Sequence, residues 1–124
     1  MADVLKRTVR ARLHIKKNEL DRYDQEFLDS ERTMTEYTHQ RVVLATAMAD
    51  PSQVNMEGLT TAAVIMLETD RAITVFLNQT GPTFTNGIAV GDNGMLMLVG
   101  PVTSVHVQNT NVDYTATIEF LAAD

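Results

Sequence analysis

The sequence contains no cysteine, which excludes disulfides, thiolate metal sites and cysteine nucleophiles together. Any core must therefore stand on packing, alone or with neighbouring subunits, and a secreted disulfide scaffold is ruled out. Tryptophan is also absent and aromatic residues amount to only 6%, leaving little with which to stack sugars or single-stranded nucleic acid. No stretch approaches the roughly 18 consecutive apolar residues that a membrane span requires. Ala2, Asp3 and Val4 lead into cations rather than into an apolar run, so no secretory leader is expected. None of the six glycines belongs to a phosphate-cradling GxxxxGK loop. No long-period repeat and no low-complexity tract is found.

What is present is 124 residues, 44% hydrophobic and 21% charged, enough apolar material for one globular domain of ordinary size. The net charge of −6 is unevenly spread. Residues 1–17 hold six cations (Lys6, Arg7, Arg10, Arg12, Lys16, Lys17) against Asp3, a local +5. Residues 18–36 hold seven acids against Arg22 and Arg32, a local −5, and residues 37–124 hold eight acids against Arg41 and Arg71, a local −6. An acidic chain with one basic segment is a poor general nucleic-acid binder, and no direct nucleic-acid binding is expected. The cations are expected to meet either the acidic segment that follows them or the acidic surface of a partner subunit.

Alternation dominates the pattern. From Thr8 to Lys16, Val9, Ala11, Leu13 and Ile15 fall on one face while Arg10, Arg12, His14 and Lys16 fall on the other, the period of a half-buried strand. Residues 18–36 are ambiguous. Leu20, Tyr23 and Phe27 sit at helical spacing, whereas Thr33, Thr35, Tyr37 and Thr38 favour extended structure; an extended excursion with one helical turn is expected. A strand signal returns from Thr38 to Met48, followed by a loop over 49–58. "TTAAVIMLET" (60–69) is apolar on both faces, which suits a central strand covered on both sides or by another subunit. Further short strands follow in "AITVFLN", "IAV", "MLMLV", "VTSVHVQN" and "YTATIEFLA", separated by loops and by the tight turn "GDNG", where Asn93-Gly94 suits positive φ. Ile73, Val75 and Leu77 are expected on one face. Val105 and Val107 are expected inward with Ser104 and His106 outward, and Tyr114, Ala116, Ile118 and Phe120 are set against Thr115, Thr117 and Glu119. Short strands at this spacing indicate an all-β antiparallel sandwich or small barrel. The expected organisation is an N-terminal strand with a charged extended segment over 1–37 and a sandwich over 38–124.

Over residues 38–124 the succession "TAAVIMLETDRAITVFLN", "GIAVGDNGMLMLVGPVTSVHVQN" and "TATIEFLAAD" resembles a recurring type of small tailed-bacteriophage virion protein. In that type a Thr-Asp turn separates two strands, a Gly-rich turn precedes an apolar strand, and a last strand carries Ala-Thr. The resemblance implies a jelly-roll-like β-sandwich with a non-enzymatic structural role, decorating a capsid or repeated in a neck or tail, assembled in the host cytoplasm into the virion. Its implied partners are other virion proteins and further copies of itself. Residues 1–37 have no counterpart in the resemblance.

The residues themselves offer no catalytic constellation. His14, His39 and His106 are isolated, without HExxH or His-x-x-x-His spacing. Asp92-Asn93-Gly94 lacks the ligand run of a calcium loop and reads as a turn. The carboxylates Asp21, Asp24, Glu26, Asp29 and Glu31 form a solvated segment rather than a dry acid-base pair, and Ser30, Ser52 and Ser104 sit in no nucleophile elbow. No enzyme activity, metal or cofactor is expected. The candidate interface residues are the basic face of the first strand (Arg10, Arg12, His14, Lys16) and the strand methionines Met66, Met95 and Met97; thioethers also fill ordinary cores. A competing reading is a receptor- or glycan-binding module of a tail tip, using the loops 79–87 or 109–113 with Phe84 or Tyr114 as the stacking face.

Overall fold

The computed structural model describes residues 5–34 and 36–124 of the chain. Ala2, Asp3, Val4 and Thr35 lie outside the described residues, as do the side chains of Leu13, Ile15, Asp21, Tyr23, Phe27, Asp29 and Ser30. Every described element is a strand. The chain divides into two compact units, Met1–Thr35 and Glu36–Asp124.

The first unit is a two-stranded antiparallel ribbon of β1 (Lys6–Lys17) and β2 (Leu20–Thr33). Asn18 and Glu19 both take positive φ, 52° and 63°, the pair of left-handed residues that closes a two-residue hairpin. In register, Thr8 stands opposite Glu31, Arg10 opposite Asp29, Arg12 opposite Glu26, His14 opposite Asp24 and Lys16 opposite Asp21. The basic and acidic segments therefore pair with each other, the first of the two outcomes expected for them. The expected helical turn in 18–36 does not form. The 3–4 spacing of Leu20, Tyr23 and Phe27 is a local signal, and it yields to a long ladder in which opposite charges face across the strands.

The second unit contains β3 (Tyr37–Leu44), β4 (Ser52–Gln53), β5 (Ala62–Thr69), β6 (Ile73–Leu77), β7 (Ile88–Val90), β8 (Met95–Val102), β9 (Val105–Gln108) and β10 (Ala116–Ala123). They form two four-stranded antiparallel sheets, β3-β10-β5-β8 and β4-β9-β6-β7, packed face to face as a β-sandwich. The alternation read from the sequence sets the core: Ile65, Leu67, Ile118 and Phe120 from one sheet meet Ile73, Val75, Val105 and Val107 from the other, all buried. Met56 is buried and Met48 packs against the same cluster as gap fillers. In the Gly91–Gly94 turn Asn93 has φ 54°, and a Cβ on Gly94 would come 2.7 Å from the Gly91 carbonyl oxygen, so the turn needs glycine there.

One face assignment differs from the expectation, and two residues expected outward are buried. Tyr114 is half exposed because it precedes β10, where the Arg71 guanidinium lies over its ring at 4.2 Å from the centroid. Ser104 and His106 do point away from the core but are buried, because the loop 79–87 folds back over that outer face. Ser104 Oγ donates to the Gln79 carbonyl at 3.0 Å, and the Phe84 ring packs on His106 and Phe76 at centroid distances of 4.7 and 5.4 Å.

Candidate interaction surface

The register of the β3-β10-β5-β8 sheet determines what its outer face carries. Arg41, Glu119, Glu68 and Met95 form one row across the strands; His39, Leu121, Met66 and Met97 form the next; Tyr37, Ala123, Val64 and Val99 form the third. Polarity falls from the first row to the last. In the first, Glu119 takes both neighbours: Arg41 Nε donates to Oε1 at 2.8 Å, and His39 Nε2 lies 3.0 Å from Oε2. Glu68 stands directly opposite Glu119, so the Arg41 guanidinium offsets a like-charge pair that would otherwise strain the sheet. A shallow groove of about 550 Å³ runs over this row, floored by Arg41, Glu68, Asp70 and Glu119. The second and third rows are apolar over much of their width. Tyr37 is 56% exposed, Met66 36% and Val99 45%, and Met95 at the edge of the first row is 57% exposed.

The three methionines singled out from the sequence come together here. Met66 and Met97 are direct cross-strand partners, and Met95 lies one row up beside Glu68. Leu121 and Val99 complete the patch and were not singled out. Leu121 was within reach of sequence reasoning, since it continues the outward series Thr117, Glu119 with an apolar residue.

The other candidate residues lie in the first unit. Arg12 makes a two-pronged contact with the Asp24 carboxylate, Nε to Oδ1 at 2.7 Å, and this hydrogen bond holds the Asp24 carboxyl below its ordinary range. Lys6 Nζ reaches Glu31 at 3.3 Å. Arg10, His14 and Lys16 are exposed on the same strand, each opposite an acidic position. The basic face is thus matched from within its own hairpin.

The loops considered for ligand stacking are built for anchoring. A Cβ on Gly81 (φ 75°) would lie 2.8 Å from the Phe84 ring, so Phe84 is packed between Gly81, Phe76 and His106. Beneath it, His106 Nδ1 is buried without a hydrogen-bond partner, and burial lowers the histidine pKa. In the second loop, fully buried Asn109 donates to the carbonyls of Ala45 and Tyr114 at 3.1 and 2.8 Å and accepts from the Asn111 N–H. Among the described residues no three His, Asp or Glu side chains converge as a metal-binding group, and no helix is long and apolar enough to cross a membrane. No protein-family model matches the chain, and a search of curated proteins finds no match to it.

Proposed function

We propose that the protein is a non-enzymatic structural subunit of a tailed-phage virion, working through contacts between subunits on the outer face of the β3-β10-β5-β8 sheet. The observation that carries this reading is the apolar patch of Met66, Met97, Met95, Leu121 and Val99 on a sheet face that a solitary sandwich would fill with polar side chains. Counted from β3 as the first strand, the two sheets run 1-8-3-6 and 2-7-4-5, an order that supports reading the sandwich as a jelly roll, an architecture used repeatedly in viral capsids. The fold alone does not specify the role; the apolar face does more, because it needs a covering partner. Reading the loops as a glycan site is weakened by the internal packing of Phe84 and Asn109.

Sedimentation and negative-stain electron microscopy of the purified protein test the proposal. A closed oligomer is expected, shifted to smaller species by Met66→Lys, which places a charge in the middle of the patch. A protein that stays monomeric at high concentration and binds no component of a virion overturns the reading.

A further inference from the structure

An open sheet edge is a row of backbone N–H and C=O groups offered to any strand that can reach it, and stable monomers blunt such edges. The sandwich has four: β3 and β8 in one sheet, β4 and β7 in the other. Strands β4 and β7 contain two and three residues, too short to template a partner. Strand β3 carries Arg41 among its outward residues, so two such edges would bring guanidinium cations together. Strand β8, "MLMLVGPV", has none of these protections until Pro101, near its end.

The hydrogen-bond pattern shows which groups β8 leaves open. The Thr69 N–H donates to the Gly94 carbonyl at 3.0 Å, and the Asp70 N–H to the Thr117 carbonyl at 3.2 Å. Antiparallel ladders alternate, so Leu67–Leu96 and Ile65–Leu98 are the bonded pairs between β5 and β8. The N–H and C=O groups of Met95, Met97 and Val99 then point out of the sheet. The same three residues place their side chains on the apolar outer face.

We infer that β8 is an interface strand that pairs antiparallel with β8 of a second copy, with a two-fold axis at Met97, joining two four-stranded sheets into one of eight. Met97 then faces its own counterpart, and Met95 faces Val99 of the second copy, so all three open residues are used in both chains. Charge favours this edge over β3. Residues 36–124 hold nine acids against Arg41 and Arg71, a net −7, so two sandwiches meet with least repulsion through an uncharged strand. Glu68 beside Met95 lies at the far end of the joint in each copy. The two are offset by about four residues, roughly 13 Å along the strand, beyond the screening length of about 8 Å at physiological salt. The charged β3 edge at the opposite side of each sheet keeps the pair from growing into a fibre. The inference rests on the reading of the protein as an assembling subunit and specifies one of its joints.

The cysteine-free sequence makes single-cysteine cross-linking a direct test. Facing residues of a hydrogen-bonded pair have Cα atoms about 5.5 Å apart, within disulfide reach, whereas residues offset by four positions are not. Under copper-phenanthroline oxidation, Met97→Cys in the full chain is expected to give at least about ten times more covalent dimer than Met95→Cys or Val99→Cys alone. An equimolar mixture of those last two variants is expected to cross-link. Val99→Lys, with its circular dichroism unchanged, is expected to weaken the dimer at least about tenfold, since it sets a charge at the joint. Equal cross-linking at 95, 97 and 99, or none at 97 in a protein that still sediments as an oligomer, overturns the β8 joint and leaves the structural role standing. A wild-type chain that neither sediments above a monomer nor binds a virion component overturns both.

Discussion

The two units of this chain are built on opposite principles. The sandwich buries Ile65, Leu67, Ile118 and Phe120 against the facing sheet and owes its stability to apolar burial, with its charges outside that core. The ribbon of β1 and β2 has only two strands, which is marginal in water on its own, and along one face its register sets Arg10, Arg12, His14 and Lys16 against acids. Exposed ion pairs contribute little each and weaken with salt. The difference teaches that one chain can specify strands by two separate means: by what they bury, and by which charges they oppose.

The sharpest way to break that comparison is to remove burial. Phe120→Ala leaves a cavity at the centre of the sandwich and is expected to cost about 3–5 kcal/mol, measured by urea unfolding of the full chain. A loss that small substitutions in the ribbon reproduce would show that the two units do not differ in kind.

A middle-sized effect concerns His106. Burial lowers its folded-state pKa, so the unfolded chain takes up the proton first. Stability is then full above the ordinary histidine range and falls as pH drops through about 6.5. The melting temperature of the wild type is expected to drop between pH 7.5 and 5.5 by more than that of His106→Phe, which keeps the ring against Phe84 without a buried, unpartnered nitrogen. Equal slopes for the two would remove His106 as the source.

The smallest effect is expected in the ribbon. Arg12→Gln removes the two-pronged contact with Asp24, and it is expected to speed amide exchange in β1 and β2 at low salt while leaving the sandwich transition in place. High salt is expected to erase the difference. The Asp24 carboxyl is held low by Arg12, so this contact is present at neutral pH and lost as pH falls through the carboxylate range.

Much of the sandwich was legible because alternation is local. Val75, Val105, Val107, Ile118 and Phe120 announce their inward faces within a few residues, and Asn93 announces its turn. The acidic segment was legible as extended, but not as the continuous strand β2, because its apolar residues imitate a helical period and its true support is a partner strand. His106 was assigned the correct side of its sheet, but the covering loop with Phe84 lies some twenty residues upstream and leaves no periodic trace. Met66, Met95 and Met97 were recognisable as odd residues in strands. Their convergence into one patch, with Leu121, required the register of three strands.

By itself the sequence determined an all-β chain without thiol chemistry, the positions of most strands after residue 38, and the inward faces that make the core. Those properties depend on side-chain alternation within a single strand. Tertiary structure alone decided that the +5 segment is matched by the −5 segment beside it, and that of two strands apolar on both faces β5 is interior and β8 is an open edge. It also decided that a histidine facing away from the core is nonetheless buried. Each of these is a choice of partner between distant residues, and a two-residue period records which face a side chain occupies but not which strand or loop will meet it.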